Sequence, residues 1–354
     1  LRHLTGLTQV NLINTDVQNL EPLQGLTLLE RLYLDDTPVT DLTPLRKNTA
    51  LQRLYLRRMQ LTDLAPIGSL VNLERLNLFS TPVADLGPLA KTVNLTQLNI
   101  SETQVSDLSP LAHLTNLKKL EFEDTQVNRI SALSKTTKLV TLVLAGTAVT
   151  SLQPLSALSS LSALDADRTK VSDLSALTAL TQIKSLQLRG TSVSNLTPVH
   201  ALTQMRELAL NETKVHDITP LSGMTQLHSL QLNGTMVADL SPLANLTSLK
   251  FLTIDGTSVA DLAPLSELTG LNTLTCSGTQ IKSITALAGL VAIRHLDVSQ
   301  SEVQSLTGLA DLQSLLHLNA ANTTVSDLTP IGTLSKLKDL NLEKTQIDDI
   351  TPLS

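Results

Sequence analysis

A threonine recurs every 22 residues along this 354-residue chain, and no other feature constrains its fold so tightly. Thr15, Thr37, Thr81, Thr103, Thr125, Thr147, Thr169, Thr191, Thr213, Thr235, Thr257, Thr279, Thr323 and Thr345 fall on one comb. Only Met59 and Ser301 interrupt it, so Thr fills 14 of its 16 positions with no insertion or deletion between them. A fixed period of this length marks a repeat array, in which each unit packs mainly on its neighbours.

The columns around the comb describe one repeat. Eight residues before it stand Leu7, Leu29, Leu51 and their successors, varied only by Ile183, Met205 and Ile293. Five before it every residue is Leu except Val10. Three before it the column is apolar, with Phe122, Ala166, Cys276 and Ala320 as departures in size. Two after it stands Val or Ile, once Leu61, and five and eight after it the residues are aliphatic again. About seven aliphatic positions per repeat cannot close a core alone, so stacked neighbours must bury them together.

Stretches such as Arg31-Leu32-Tyr33-Leu34-Asp35 alternate polar and apolar residues, the period of a half-buried strand. Strands repeated in register are parallel, and their crossovers are right-handed. After the comb comes a second pattern, as in Val39-Thr40-Asp41-Leu42-Thr43-Pro44-Leu45. Pro fills its position in 12 of 16 repeats, and Ser or Thr precedes it in 11 of 16. Ser/Thr as N-cap with Pro at the first helical position predicts a helix start. About six residues remain before the next strand, enough for one α or 3₁₀ turn. The ten-membered Asp column running from Asp41 to Asp349 is a turn-capping device, since Asx side chains bond nearby backbone amides.

The pattern Leu-x-x-Leu-x-x-Leu-x-Leu-x-x-Thr-x-Val-x-Asp-Leu-x-Pro-Leu resembles a leucine-rich repeat of the 22-residue type, closest to the bacterial internalins. The resemblance covers the whole chain and implies an α/β repeat solenoid. The architecture it implies is a leucine-rich repeat horseshoe with a parallel β-sheet on its concave face and short 3₁₀ or α turns on its convex face. One column departs from the family. The usual corner Asn is Thr here, and a ladder of Thr hydroxyls is expected to replace it. The expectation is a single domain, 1–354, of about sixteen repeats. It starts and stops within a repeat, so native caps and any anchor or effector module are expected outside it.

Composition narrows the function. The net charge of -6 argues against nucleic acid. No apolar run approaches the ~20 residues of a membrane span. One Cys excludes an intramolecular disulfide framework, and Cys276 sits in an apolar column as a small buried hydrophobe. His295 and His317 share a strand column with Asp297 and Asp339 nearby, but nothing supplies a closed ligand set for a metal. No Ser-His-Asp constellation and no glycine-rich phosphate loop is present. The expectation is therefore no catalysis, no cofactor, no metal and no small-molecule substrate.

What remains is the strand surface facing away from the core. Tyr33 and Tyr55 are consecutive rungs of one column, and Arg31, Arg53 and Arg75 are three rungs of another. Arg57, Arg58 and Phe79 join them, with Asp35 and Asp36 alongside. Tyr and Arg are enriched at interface hot spots, so these eight residues are the candidate partner-binding site. The next rungs turn acidic, through Glu102, Glu121, Glu123 and Asp124 to Asp165 and Asp167. The function this supports is recognition of a partner protein. The resemblance implies a bacterial surface or secreted protein engaging a host or neighbouring cell. Two other readings stand beside it: the targeting arm of a larger effector enzyme, with a ubiquitin ligase or GTPase-type module elsewhere, and a structural spacer.

Overall fold

Each repeat places a three-residue strand six to four positions before its comb residue, and the central residue, nearly always Leu, is the buried one in all but β16, with Ala209 buried beside it in β10. The flanking residues are mostly half-buried on the open face of the sheet, with Phe251 and His295 among those that are exposed. The computed structural model describes residues 4–354 in two compact units, Leu1–Val171 and Ser172–Ser354. The first holds β1 (Gln9–Asn11), β2 (Arg31–Tyr33), β3 (Arg53–Tyr55), β4 (Arg75–Asn77), β5 (Gln97–Asn99), β6 (Lys119–Glu121), β7 (Thr141–Val143) and β8 (Ala163–Asp165). Each pairs in parallel with the next at an offset of one repeat, as in Leu32↔Leu54↔Leu76. The second holds β9 (Ser185–Gln187), β10 (Glu207–Ala209), β11 (Ser229–Gln231), β12 (Phe251–Thr253), β13 (Thr273–Thr275), β14 (His295–Asp297), β15 (His317–Asn319) and β16 (Asp339–Asn341), paired in the same way. Short 3₁₀ helices return the chain to the next strand, and no longer helix occurs among the described residues. The fold is a leucine-rich repeat solenoid.

The comb threonines close turns within their own repeats. In all 14 cases the hydroxyl donates to the carbonyl three residues earlier, as Thr37 does to Leu34 at 2.7 Å and Thr213 to Leu210 at 2.6 Å. No hydroxyl-to-hydroxyl ladder links the repeats in that column. Met59 fills the same place with a buried apolar side chain.

The helix start also differs from expectation. Ser or Thr is the first helical residue rather than the N-cap, which is Leu or Ile and makes no side-chain capping bond. The acceptor comes from the Asp column one residue earlier. Asp41 takes the Thr43 N–H at 2.7 Å, and Asp63, Asp107, Asp173, Asp217, Asp239, Asp261, Asp327 and Asp349 do the same in their repeats at 2.8 Å. A carboxylate two residues upstream reaches an otherwise unpaired amide more readily than the helix's own first hydroxyl.

A third regularity is the residue one before the comb, which is left-handed in every repeat. Eleven are non-glycine, from Asn14 to Lys344, with φ between 51° and 59°. The other five are Gly146, Gly190, Gly234, Gly256 and Gly278. These glycines sit where only glycine is free of strain.

Candidate functional site

The eight residues singled out by sequence gather on β2–β4 and the turns that follow. Tyr33 and Tyr55 are register partners on β2 and β3. Their rings stack with centroids 5.0 Å apart and planes 18° from parallel. Arg31, Arg53 and Arg75 occupy the neighbouring column as register partners, Arg31↔Arg53↔Arg75. All five are half-buried, as is Phe79 in the turn after β4.

Arg57 and Arg58 are held from within the chain. Asp35 is fully buried and accepts the Arg57 backbone N–H at 2.8 Å and Nε at 2.9 Å. The Arg57 Nη2 lies 2.8 Å from the same carboxylate. Asp36 and Arg58 form a bidentate pair on the surface. The Arg58 hydrogen bond holds the Asp36 carboxyl below its ordinary range, with Arg58 and Arg57 charge adding to it. Both arginines are thus committed to Asp side chains one repeat earlier.

The other three arginines have no such counterpart. Among the described residues, the polar side-chain contact they make is Arg31 Nη1 to Gln9 Oε1 at a long 3.5 Å. The Nε atoms of Arg31 and Arg53 are buried without a hydrogen-bond partner. Buried polar atoms are nearly always satisfied, so two orphans in one column of like charge are an exception that asks for a cause.

Past β4 the sign reverses. Lys119 and Glu121 pair at 2.9 Å on β6. Arg168 reaches back to Glu123 at 3.5 Å and Asp124 at 3.4 Å. Burial first, then the charges of Asp124 and Asp165, raises the Glu123 carboxyl above its ordinary value, while Arg168 opposes the shift.

Many polar residues of the open face serve the backbone instead of a ligand. The N–H two before the comb needs an acceptor, and Asn77, Asn99, Asp165, Asp297, Asn319 and Asn341 supply it from two residues upstream. Elsewhere the previous repeat supplies it, from Asp35, Ser101, Asn211, Asn233 and Asp255. Sequence reading missed this role. Its signal is the Asn/Asp/Ser bias at four and two before the comb. The tyrosines stand where that bias lapses.

In the second unit, the His295 and His317 rings stack at 4.3 Å, and Asp339 contacts His317 Nδ1. Burial first, then His317 and Arg294, lowers the His295 pKa. Asp297 is occupied by Ser299 and Asn319. Among the described residues no three His, Cys, Asp or Glu side chains converge on a metal position. His3 lies outside the described residues. Cys276 is buried, its thiol 3.2 Å from the Asp297 carbonyl, and burial pushes its pKa far up. Phe251 on β12 is the exposed aromatic, at 46%. Among the described residues no helix is long and apolar enough to cross a membrane.

Comparison with known proteins agrees with the repeat reading. A family model for leucine-rich repeats, in two copies, matches residues 49–91. No curated protein matches the chain in sequence. Among solved structures, a leucine-rich repeat protein of Leptospira interrogans is similar, with a TM-score of 0.91 at 21% identity over 97% of this chain and 92% of that one. The functional domain of InlJ from Listeria monocytogenes, which includes a cysteine ladder, gives 0.80 at 21% identity over 94% and 71%. The plant peptide hormone receptor RGFR1 in complex with RGF2 gives 0.72 at 15% identity over 97% and 72%. At these identities the likeness establishes the shared fold.

Proposed function

We propose that this chain is a protein-recognition module that binds its partner through the open face of β2–β4, and that it catalyses no reaction itself. The observation that carries this is the stacked Tyr33–Tyr55 pair set beside three arginines without internal counter-charges. Stacked rings offer contact area with little rotamer entropy to lose, and arginine forks add directional donors. A repeat solenoid serves generally as an interaction surface, and RGFR1 is a receptor solved in complex with its ligand. Internalin-like character, and with it a secreted or cell-surface setting in a bacterium, is part of this proposal and rests on the resemblance of the repeat pattern to the bacterial internalins.

The test is affinity capture with the intact chain and with Tyr33→Ala/Tyr55→Ala, both checked for native circular dichroism. The proposal expects a partner retained by the first and lost by the second. Equal retention by both would place recognition elsewhere on the protein.

A further inference from the structure

The Arg31–Arg53–Arg75 column is costly as it stands. Register pairing sets three guanidinium stems side by side at strand spacing, ~4.8 Å. Like charges opposite one another on a sheet destabilise it. Among the described residues no ion pair offsets this, and two of the Nε atoms are buried without an acceptor. Asp35 and Asp36, the nearest acids in the following turn, are already held by Arg57 and Arg58. The column has the form of one half of an ionic contact.

We infer that the partner meets this face through a bipolar extended segment, with carboxylates seated on Arg31, Arg53 and Arg75 and cationic side chains further on, over Glu123 and Asp124. The inference rests on the recognition reading above and names the chemistry of its partner. Carboxylates suit the column because a planar two-oxygen acceptor matches the guanidinium fork. Side chains on alternate residues of an extended segment lie ~6.7 Å apart, so two carboxylates bridge three guanidiniums spread over ~9.6 Å.

The reversal of sign sets the second half. The basic column spans three rungs: Gln97 follows it, and Lys119 is neutralised by Glu121. Beyond lies the Glu123–Asp124 cluster, whose mutual repulsion is relieved in part by Arg168. A uniform polyanion such as nucleic acid or a sulfated glycan, laid across these strands, meets repulsion within about one Debye length of the arginines. A segment that changes sign is attracted at both ends. From β3 to β6 is three strand spacings, ~14 Å, or about four extended residues between the acidic and basic groups.

The experiment is selection of a displayed library of random 12-residue peptides on the intact chain, with heparin and a dT oligonucleotide titrated as separate probes. The expected result is enrichment of peptides with two acids on alternate residues and a Lys or Arg about four residues away. Arg31→Gln/Arg53→Gln/Arg75→Gln is expected to weaken them about 10–100-fold, the range of one or two charge-assisted hydrogen bonds, and the weakening to shrink in high salt. The same triple variant is expected to melt at a higher temperature than the parent, because the uncompensated column is gone. That readout guards against reading a misfolded variant as a lost site.

Peptides without the acidic pair, an empty selection, tighter binding of heparin or dT than of the best peptide, or an unchanged or lowered melting temperature would each overturn the inference. Binders that depend on Tyr33 and Tyr55 but not on the arginines would overturn it while leaving the recognition reading intact. Capture that fails for Tyr33→Ala/Tyr55→Ala yet survives the arginine changes separates the two in the same way.

Discussion

Asp35 holds Arg57 at three points across one repeat: the backbone N–H, Nε and Nη2 of Arg57 all converge on a carboxylate that is itself buried. The arginine keeps its outer edge in solvent, with 38% of the side chain exposed, whereas the aspartate has 1%. The asymmetry decides which partner the structure can lose. Arg57→Leu leaves a buried carboxylate with one amide donor, a change expected to cost about 3 kcal/mol. Asp35→Asn keeps an acceptor for the Arg57 amide and frees the guanidinium to water, at about 1 kcal/mol. Urea denaturation of both variants checks the order, and a larger loss for Asp35→Asn would contradict it.

The aliphatic ladders should dominate stability. Leu98 and Leu230 are central strand residues, fully enclosed by neighbours on both sides. Their replacement by Ala is expected to cost about 2–5 kcal/mol through lost transfer energy and an unfilled cavity. Thr213→Val removes one local hydroxyl bond to Leu210 and should cost about 1 kcal/mol. Comparable midpoints for Leu230→Ala and Thr213→Val would show that the comb does more than close its own turns.

Much of this architecture is legible in the chain, and the illegible parts share a physical reason. The 22-residue comb and the Leu column state the period and the buried residue of each strand directly. The left-handed column is obscured because Arg58, Glu102, Arg168 and Glu212 accept a strained φ beside the glycines that fit it. The Ser/Thr before Pro suggests an N-cap, but the Asp upstream competes for the same amide and holds it. The tyrosine stack and arginine column follow from reading residues 22 apart together. The same comparison read across Asp35 and Arg57 would have shown that pair as well, since they too stand one repeat apart. What that comparison does not show is that Asp35 is buried, because burial depends on which acid the turn points inward.

Repeat consensus fails as a guide at Gly308. The position is Pro in most repeats, and Gly308→Pro would appear to regularise the turn. Its φ of 107° lies far from the value near -65° that proline enforces, and a Cβ there would meet the Ile284 carbonyl oxygen at 2.9 Å. Gly308→Pro is therefore expected to lower the melting temperature. By contrast Glu102→Gly, at a left-handed position, is expected to raise stability by up to about 1 kcal/mol. A rise for Gly308→Pro in thermal denaturation would refute the assignment of that turn.

Acid should loosen the turns on the side away from the sheet. The Ser or Thr side-chain hydrogen bond, with the backbone N–H second, holds Asp41, Asp107, Asp217 and Asp327 below the ordinary carboxylate range. In Asp173, Asp239 and Asp349 the backbone bond is the larger cause. A carboxyl depressed in the folded state binds its proton more weakly than in the unfolded chain. Its contribution is present above the unfolded pKa of about 3.9 and is lost as pH falls through the lower folded value. Urea midpoints should fall between pH 5 and pH 3, and less steeply in Asp173→Asn/Asp239→Asn. Equal slopes would remove the turn carboxylates from the account.

The binding face carries the last prediction. Tyr55→Ala with Arg53→Glu should abolish partner capture by truncating the ring stack and placing a carboxylate in the centre of the arginine column. The fold should survive, because both side chains are half-buried on the open face while Leu54 between them keeps its place in the core. A useful control must avoid the residues that accept backbone amides. Asn233 is unsuitable, since its side chain takes the Asp255 N–H at 3.0 Å. Phe251→Ala is better: the ring is exposed on β12 in the second unit, and its loss removes an apolar contact without disturbing a hydrogen bond. Capture should persist in Phe251→Ala and fail in the double variant, with matching circular dichroism throughout. The reverse outcome would move recognition to the second unit and leave the tyrosine–arginine cluster as surface.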